Sequence, residues 1–278
     1  MRLGISTNLG KTDAAEWAKA IREAGCGSVV FPLDYTAPEE KIQSFVKAAR
    51  GQDLVIAEVG AWCNPIAQNP TERDAALKRT KEQLRLADKI GANCCANVAG
   101  SAGEKWAGAY RENFTKETWD LTVKTIQEII DDVRPQNTYY TIEPMPYMYP
   151  MDVNQYLHLM EDVNRERFAV HMDFFNWLNT PDKYFHHEEY MEECFEKLGP
   201  WIKSCHLKDV LLLQELTCML KEVPCCLGGI NLEKYILLAE RYNPEMPMIM
   251  EHLKSQEEYL DGIARVKERL KGSKVTFI

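Results

Sequence analysis

The stretch TYYTIEPMPYMYPMDVNQYLHLMEDVNRERFAVHMD, residues 138–173, decides the fold. It opens with a β-rich apolar run that stops at Glu143, passes through the helical pattern DVNQYLHLMEDV, and returns to a second apolar run, RFAVHMD, that stops at Asp173. Neither run alternates strictly between polar and apolar residues, which marks parallel strands covered on both faces. Strand, crossover helix and strand together make one βαβ unit. The two acidic stops raise a chemical question, because an ionised carboxylate in a buried strand costs several kcal/mol unless something pairs with it.

Outward from this unit the same alternation covers the chain. RLGIST precedes DAAEWAKAIREAG, GSVVFP precedes PEEKIQSFVKAAR, DLVIAEVG precedes TERDAALKRTKEQLRLADKIG, and NCCANVAG precedes KETWDLTVKTIQEIIDDV. Beyond Asp173, the helix around EEYMEECFEKLG is followed by WIKSCHLKD, NLEKYILLAERY, PMIMEHL and SQEEYLDGIARVKERL. Gly25 and Gly91 close two of the helices. Eight strand-then-helix units in 278 residues predict an α/β protein, a (β/α)8 TIM barrel forming a single domain over residues 1–278. An open doubly wound sheet would carry a glycine fingerprint after its first strand, where this chain reads NLGKTDAAE. No Gly/Ser-rich or Pro-rich linker breaks the series. Only VLLLQELTCMLKEVPCC, residues 210–226, lacks a clean strand or helix signal; it reads as a lid over the site or as a subunit contact.

Composition excludes several classes. A net charge of -9 repels phosphodiester backbones, and the Lys78–Lys81 cluster sits at helical spacing among glutamates, so no nucleic-acid partner is expected. No segment approaches the ~18 apolar residues of a membrane span, and MRLGIST does not read as a leader. Nine cysteines, an odd number without a CxxC, fit a reducing cytoplasm.

In a barrel of this kind the carboxyl ends of the strands converge on the face where substrate binds. The last four strands end at Glu143, Asp173, His206 and Glu251. Asp and Glu number 42 and His 6 among the 278 residues, so drawing all four ends from these types is about a one-in-a-thousand coincidence, or roughly one in a hundred with one residue of register slack, before burial makes it rarer. Three carboxylates at one mouth repel each other unless a cation sits among them, and a divalent ion with one imidazole ligand resolves the conflict. The oxygen-rich shell suits one Mn²⁺, with Mg²⁺ or Co²⁺ as alternatives, better than a closed zinc site.

Further candidates surround this set. His171 shares a strand face with Asp173. Lys208 is placed to grip a substrate oxygen, or else pairs with Asp209 at the rim. Asn176, Trp62 and Asn97 are candidate substrate contacts, with Asn8, Trp106 and Trp177 weaker ones. CCLGGINLEKY sets Gly228, Gly229 and Asn231 at a helix start, either an anion nest or a plain turn.

The motifs IEPMP, HMD, HLKD and MEHL, carrying these four residues over nearly the whole chain, resemble the xylose-isomerase-like TIM-barrel superfamily, especially its sugar isomerase/epimerase branch. That branch includes tagatose and psicose 3-epimerases and inosose isomerases and dehydratases. The resemblance implies that Glu143, Asp173, His206 and Glu251 hold one divalent metal and that Glu143 and Glu251 also serve as the acid/base pair. It implies a sugar or polyol substrate, a ketose or cyclitol, epimerised or isomerised by proton transfer through an enediolate. The same carbanion chemistry supports an alternative, a lyase that dehydrates an inosose or eliminates an aglycone, C-linked ones included, from a 3-keto-glycoside. Two departures bear on substrate contacts: Asn176 stands where the 3-epimerases typically place a histidine, and Lys208-Asp209 where they tend to carry an arginine. The DNA-repair branch that shares this barrel needs more histidines and a basic groove than this chain has. A non-catalytic sugar sensor is a further class. A homo-oligomer or a partner subunit is left open.

Overall fold

The computed structural model describes residues 1–278. Seven parallel strands come first: β1 (Arg2–Ile5), β2 (Ser28–Val30), β3 (Val55–Gly60), β4 (Cys94–Asn97), β5 (Tyr139–Ile142), β6 (Phe168–Met172) and β7 (Ile202–Leu207). A hairpin of β8 (Asp209–Leu213) and β9 (Met219–Val223) follows, and β10 (Pro247–Met250) then pairs with both β7 and β1 to close an eight-stranded barrel. The single-domain barrel expected from the sequence is what the chain forms.

Helices α1 (Ala14–Glu23), α2 (Glu39–Gly51), α3 (Pro70–Ile90), α4 (Lys116–Val133), α5 (Val153–Val163), the short α6 (Pro181–Phe185), α7 (His187–Leu198), α8 (Leu232–Tyr242) and α9 (Gln256–Arg269) wrap the strands. Their starts are written in the sequence. Asp13, Asn69, Thr115, Asp152 and Ser255 accept hydrogen bonds from the first free backbone N–H groups of α1, α3, α4, α5 and α9. Gly91 ends α3 at φ 71°, a left-handed conformation that glycine adopts without strain. Between helices and strands runs one continuous apolar core that includes Trp17, Tyr156, Trp177, Phe195 and Tyr235. Tyr156 reaches through it to donate its hydroxyl hydrogen to the carbonyl of Ile142, 2.6 Å away, which ties α5 to the end of β5.

The barrel interior is polar along its second half, and the cause is the two-residue period of a strand. Ser204, His206 and Lys208 share one face along β7 and just beyond it, as His171 and Asp173 do on β6; all five are buried. Two register shifts accompany this layer. β2 and β3 pair Val29 with Ile56 and then Val30 with Glu58, which leaves Ala57 as an extra residue. β6 and β7 pair Val170 with Ile202 and then His171 with Ser204, which leaves Lys203 extra. Bulges of this kind re-aim side chains, and they collect near functional sites.

Residues 210–226 resolve into the β8–β9 hairpin, an antiparallel pair in register from Asp209↔Val223 to Leu213↔Met219. It stands over the carboxyl end of the barrel, where Val210, Leu220 and Glu222 form part of a cavity wall.

Candidate active site

Four of the sequence-predicted residues come together. One ligand-competent atom from each of Glu143, Asp173, His206 and Glu251 lies within 4.8 Å of all the others. Each stands at or just past a strand end: Glu143 after β5, Asp173 after β6, His206 in β7 and Glu251 after β10. His206 is the hub. Its Nδ1 lies 2.9 Å from Glu251 Oε1, 3.2 Å from Glu143 Oε1 and 3.5 Å from Asp173 Oδ2.

Asp173 divides its two oxygens. Oδ1 accepts the backbone N–H groups of Phe175 and Asn176 and so starts the short turn Phe174–Trp177. Oδ2 points into the cluster, fully buried and without a hydrogen bond of good geometry. Lys208 Nζ stands 2.6 Å from Asp173 Oδ2, 2.7 Å from Glu251 Oε1 and 3.4 Å from Glu222 Oε2. The Lys208 ammonium supplies part of the counter-charge to the clustered carboxylates, beside the divalent ion expected there. The alternative pairing of Lys208 with Asp209 does not form. Three carboxylates against one ammonium and one imidazole still leave an oxygen-rich donor set, and that set fits a divalent cation.

The two glutamates are driven apart in acidity. Burial raises Glu143 against the pull of His206, and the nearby Glu251 charge adds to the rise, bringing it to about 7. For Glu251 burial acts in the same upward sense, but His206 and Lys208 outweigh it and hold the carboxyl below its ordinary range. Asp173 is likewise held low, its burial overcome by Lys208 and His206. The same clustered carboxylates raise His206 well above the usual imidazole value, although burial opposes them.

Above the cluster lies a cavity of about 500 Å³. Lys208, Asn176, Glu222 and His252 give it polar edges, and Met145, Tyr147, Phe175, Leu178 and Leu220 give it an apolar wall. Asn176 lies where the sequence put it, at the site, with Nδ2 donating to Glu143 Oε1 (3.2 Å) and to the Pro144 carbonyl (3.0 Å).

Other candidates lie elsewhere. Asn97 is fully buried and faces α3, its Oδ1 accepting the Cys63 N–H at 3.0 Å, so it cannot touch a substrate in the cavity. His171 is also fully buried, one layer beneath the cluster, and is not a substrate contact. Trp177 is core, its indole N–H donating to the Pro150 carbonyl. Trp62 packs beside Val98, Ala107 and Met148, next to the cavity rather than in its wall. The glycine-rich turn is not an open anion nest: Asp209 occupies it, accepting the N–H groups of Gly228 (2.9 Å) and Ile230 (3.1 Å). A Cβ on Gly228 would meet Asp209 Oδ1 at 2.3 Å, so glycine is required for that closure. Asn231 caps α8.

Sequence reasoning missed Glu58. It sits in mid-β3 with no exposure, 3.7 Å from both His171 Nδ1 and His206 Nε2, and it accepts the hydroxyl hydrogen of Ser204. The signal was available as a lone acid inside the apolar run VIAEVG, where a buried carboxylate demands partners.

Solved structures share this architecture across nearly the full chain. A xylose isomerase-like TIM barrel protein from Mycobacterium smegmatis in complex with magnesium superposes with a TM-score of 0.68 at 14% identity, covering 99% of this chain and 97% of that one. The probable 3-DHS dehydratase AsbF of Bacillus anthracis gives 0.74 at 14% identity over 99% and 100% of the two chains. D-psicose 3-epimerase from Clostridium cellulolyticum H10 gives 0.67 at 12% over 96% and 99%. At these identities the likeness is one of fold. No match was found among curated protein sequences. Residues 18–269 match the family model for the xylose isomerase-like TIM barrel, and the chain belongs to that family.

Proposed function

We propose that this protein is a divalent-metal-dependent isomerase or epimerase of an unphosphorylated ketose or cyclitol. The observation that carries the reading is the pair Glu143 and Glu251, both within 3.2 Å of one imidazole nitrogen yet pushed to opposite protonation preferences. Environments that separate two carboxyl groups in this way assign acid and base between them. Glu251, held ionised by His206 and Lys208, is the base that takes a proton from the carbon beside a carbonyl. Glu143, which in the metal-free protein holds a proton more readily than Glu251, is the partner that returns one. Asn176 orients the Glu143 carboxyl, and the hairpin contributes Val210 and Leu220 to the cavity wall beside the site. A divalent ion held by Glu143, Asp173, His206 and Glu251 would supply electrophilic pull on the substrate oxygens, acidifying that C–H bond. Manganese is our choice of metal, with magnesium and cobalt as alternatives.

The relatives named above include an epimerase and a probable dehydratase, and one feature of the cavity favours a second reading. Its wall of Met145, Phe175, Leu178 and Leu220 is apolar, and an apolar group attached to a sugar would fit against it. In that reading the same proton abstraction is followed by expulsion of a leaving group, making the enzyme a lyase on a keto-glycoside. Incubating the manganese-loaded protein in D₂O with ketoses, inososes and 3-keto-glycosides tests both. Deuterium at the carbon beside the carbonyl of an epimer supports the first, an unsaturated product the second, and absence of exchange with every class refutes the carbanion mechanism.

A further inference from the structure

Behind the carboxylate cluster, on the side away from the cavity, a second polar layer crosses the barrel. It consists of Glu58 from β3 and His171, Ser204 and His206 from β6 and β7, all buried. Strands β3 and β7 face each other across the closed barrel, four places apart in its order, so only barrel closure brings Glu58 near His206. Both register shifts in the barrel fall at this layer, beside Glu58 on β3 and beside Ser204 on β7.

We infer that Glu58 is a positioning residue that fixes which ring nitrogen of His206 faces the carboxylate cluster. The inference rests on the metal-centred reading above and adds to it a residue outside the ligand set. A neutral imidazole carries one proton, and only the bare nitrogen can ligate a metal. The two edges of His206 face different surroundings. Nδ1 points at Glu251, Glu143 and Asp173, at 2.9, 3.2 and 3.5 Å. Nε2 points the other way, 3.7 Å from Glu58 Oε2, a charge contact just beyond hydrogen-bond range. Oε2 has no hydrogen-bond partner, whereas Oε1 is taken by the Ser204 hydroxyl. A carboxylate at that edge holds a proton on Nε2, so the proton a cation would displace is the one on Nδ1, among the ligand carboxylates. His171 completes the arrangement. Its ring meets His206 edge to face at a centroid distance of 4.2 Å and walls in the imidazole, which opposes the ring flip that would exchange the two nitrogens. An acid whose only service was packing would be replaced at lower cost by an apolar residue, because one oxygen is buried without a partner.

The test is manganese binding by titration calorimetry on the full chain, comparing the unaltered protein with Glu58→Gln and His206→Ala. Glutamine keeps the size of the side chain but presents either an oxygen or an NH₂ to Nε2, so the tautomer is no longer dictated. Glu58→Gln is expected to weaken manganese binding about 10- to 100-fold, the range seen when outer partners of metal-ligating histidines are removed, with the melting temperature of the metal-free protein unchanged or higher. A purely structural Glu58 would give the reverse: a lower melting temperature and a manganese affinity within twofold of the unaltered protein, which overturns the inference. If His206→Ala loses binding while Glu58→Gln retains it, only the role of Glu58 falls; if the unaltered protein binds no manganese, the metal reading falls with it. A measurement on the unaltered protein decides the matter even if Glu58→Gln does not fold. In the magnesium-loaded, ¹⁵N-histidine-labelled chain, multiple-bond ¹H–¹⁵N spectra should show His206 protonated at Nε2, and a proton on Nδ1 overturns the inference.

Discussion

The Lys208 ammonium sits 2.6 Å from Asp173 Oδ2 and touches an oxygen of Glu251 as well, so a side chain of the protein occupies the edge of the cluster that a divalent cation would share. Removing one partner of a buried ion pair leaves an uncompensated charge, typically worth ~3–5 kcal/mol. Lys208→Met should therefore lower the melting temperature of the metal-free protein by several degrees. Manganese should then raise the variant's melting temperature more than it raises that of the unaltered chain, because the metal replaces a missing charge and meets no competing ammonium. Equal gains in thermal-shift measurements with both proteins would show that Lys208 and the cation do not share a site.

Glu143→Gln and Glu251→Gln each remove a proton carrier while preserving side-chain volume. Both variants should keep the circular dichroism spectrum of the native barrel and lose at least ~100-fold in turnover, the lower end of what general acid–base groups contribute. The two should differ in one respect: Glu251→Gln, lacking the base, should also abolish solvent deuterium exchange. Near-native rates in either variant would remove that residue from the acid/base pair.

His206→Ala and Asp173→Asn address retention of the ion. The alanine removes the single nitrogen donor, and the asparagine removes the charge of the carboxylate whose Oδ2 points into the cluster. Protein loaded with manganese and passed through gel filtration should carry close to one equivalent when unaltered and substantially less in either variant, read by elemental analysis. Unchanged metal content in both would place the ion elsewhere.

Most of the barrel was legible because each strand and helix announces itself locally. The capping residues Asp13, Asn69 and Ser255 precede helical patterns, and apolar runs that mostly lack strict alternation mark a parallel sheet covered on both faces. The strand ends Glu143, Asp173, His206 and Glu251 followed from that topology alone. What could not be read depended on the direction of single side chains across the barrel. Asn97 lies at a strand end like the others, yet the two-residue period turns it outward to α3. Applied to SCHLK, the same period would have put Ser204, His206 and Lys208 on one face, separating Lys208 from its neighbour Asp209. Glu58 pairs with residues roughly 110 to 150 positions away, contacts that exist only after closure. The hairpin of residues 209–223 escaped because only Lys208 separates the end of β7 from the start of β8, leaving no turn signal between two strands of different sheets.

The acidity of Glu143 can be read from stability against pH in the metal-free protein. Its carboxyl titrates at about 7 when folded, against an ordinary value of 4.5. Between those values the folded protein keeps a proton that the unfolded chain has lost, so this group makes stability fall as pH rises from 4.5 towards 7. His171, lowered to about 4 by burial, acts in the opposite sense over much of the same range: the unfolded chain binds its proton and the folded one does not. His206, raised above 6.5 by the clustered carboxylates despite its burial, adds a further fall only above that pH. Asp173 and Glu251, held low, withdraw their stabilisation only as pH falls below the ordinary carboxylate range. The absolute slope for the unaltered protein is thus a sum of opposed contributions, and the informative quantity is its difference from Glu143→Gln. Chemical denaturation in steps from pH 4.5 to 6.5 should show the variant losing less stability, or gaining more, than the unaltered chain. Parallel curves would mean that Glu143 titrates normally, and the assignment of Glu143 as the proton-holding partner of Glu251 would have to be abandoned.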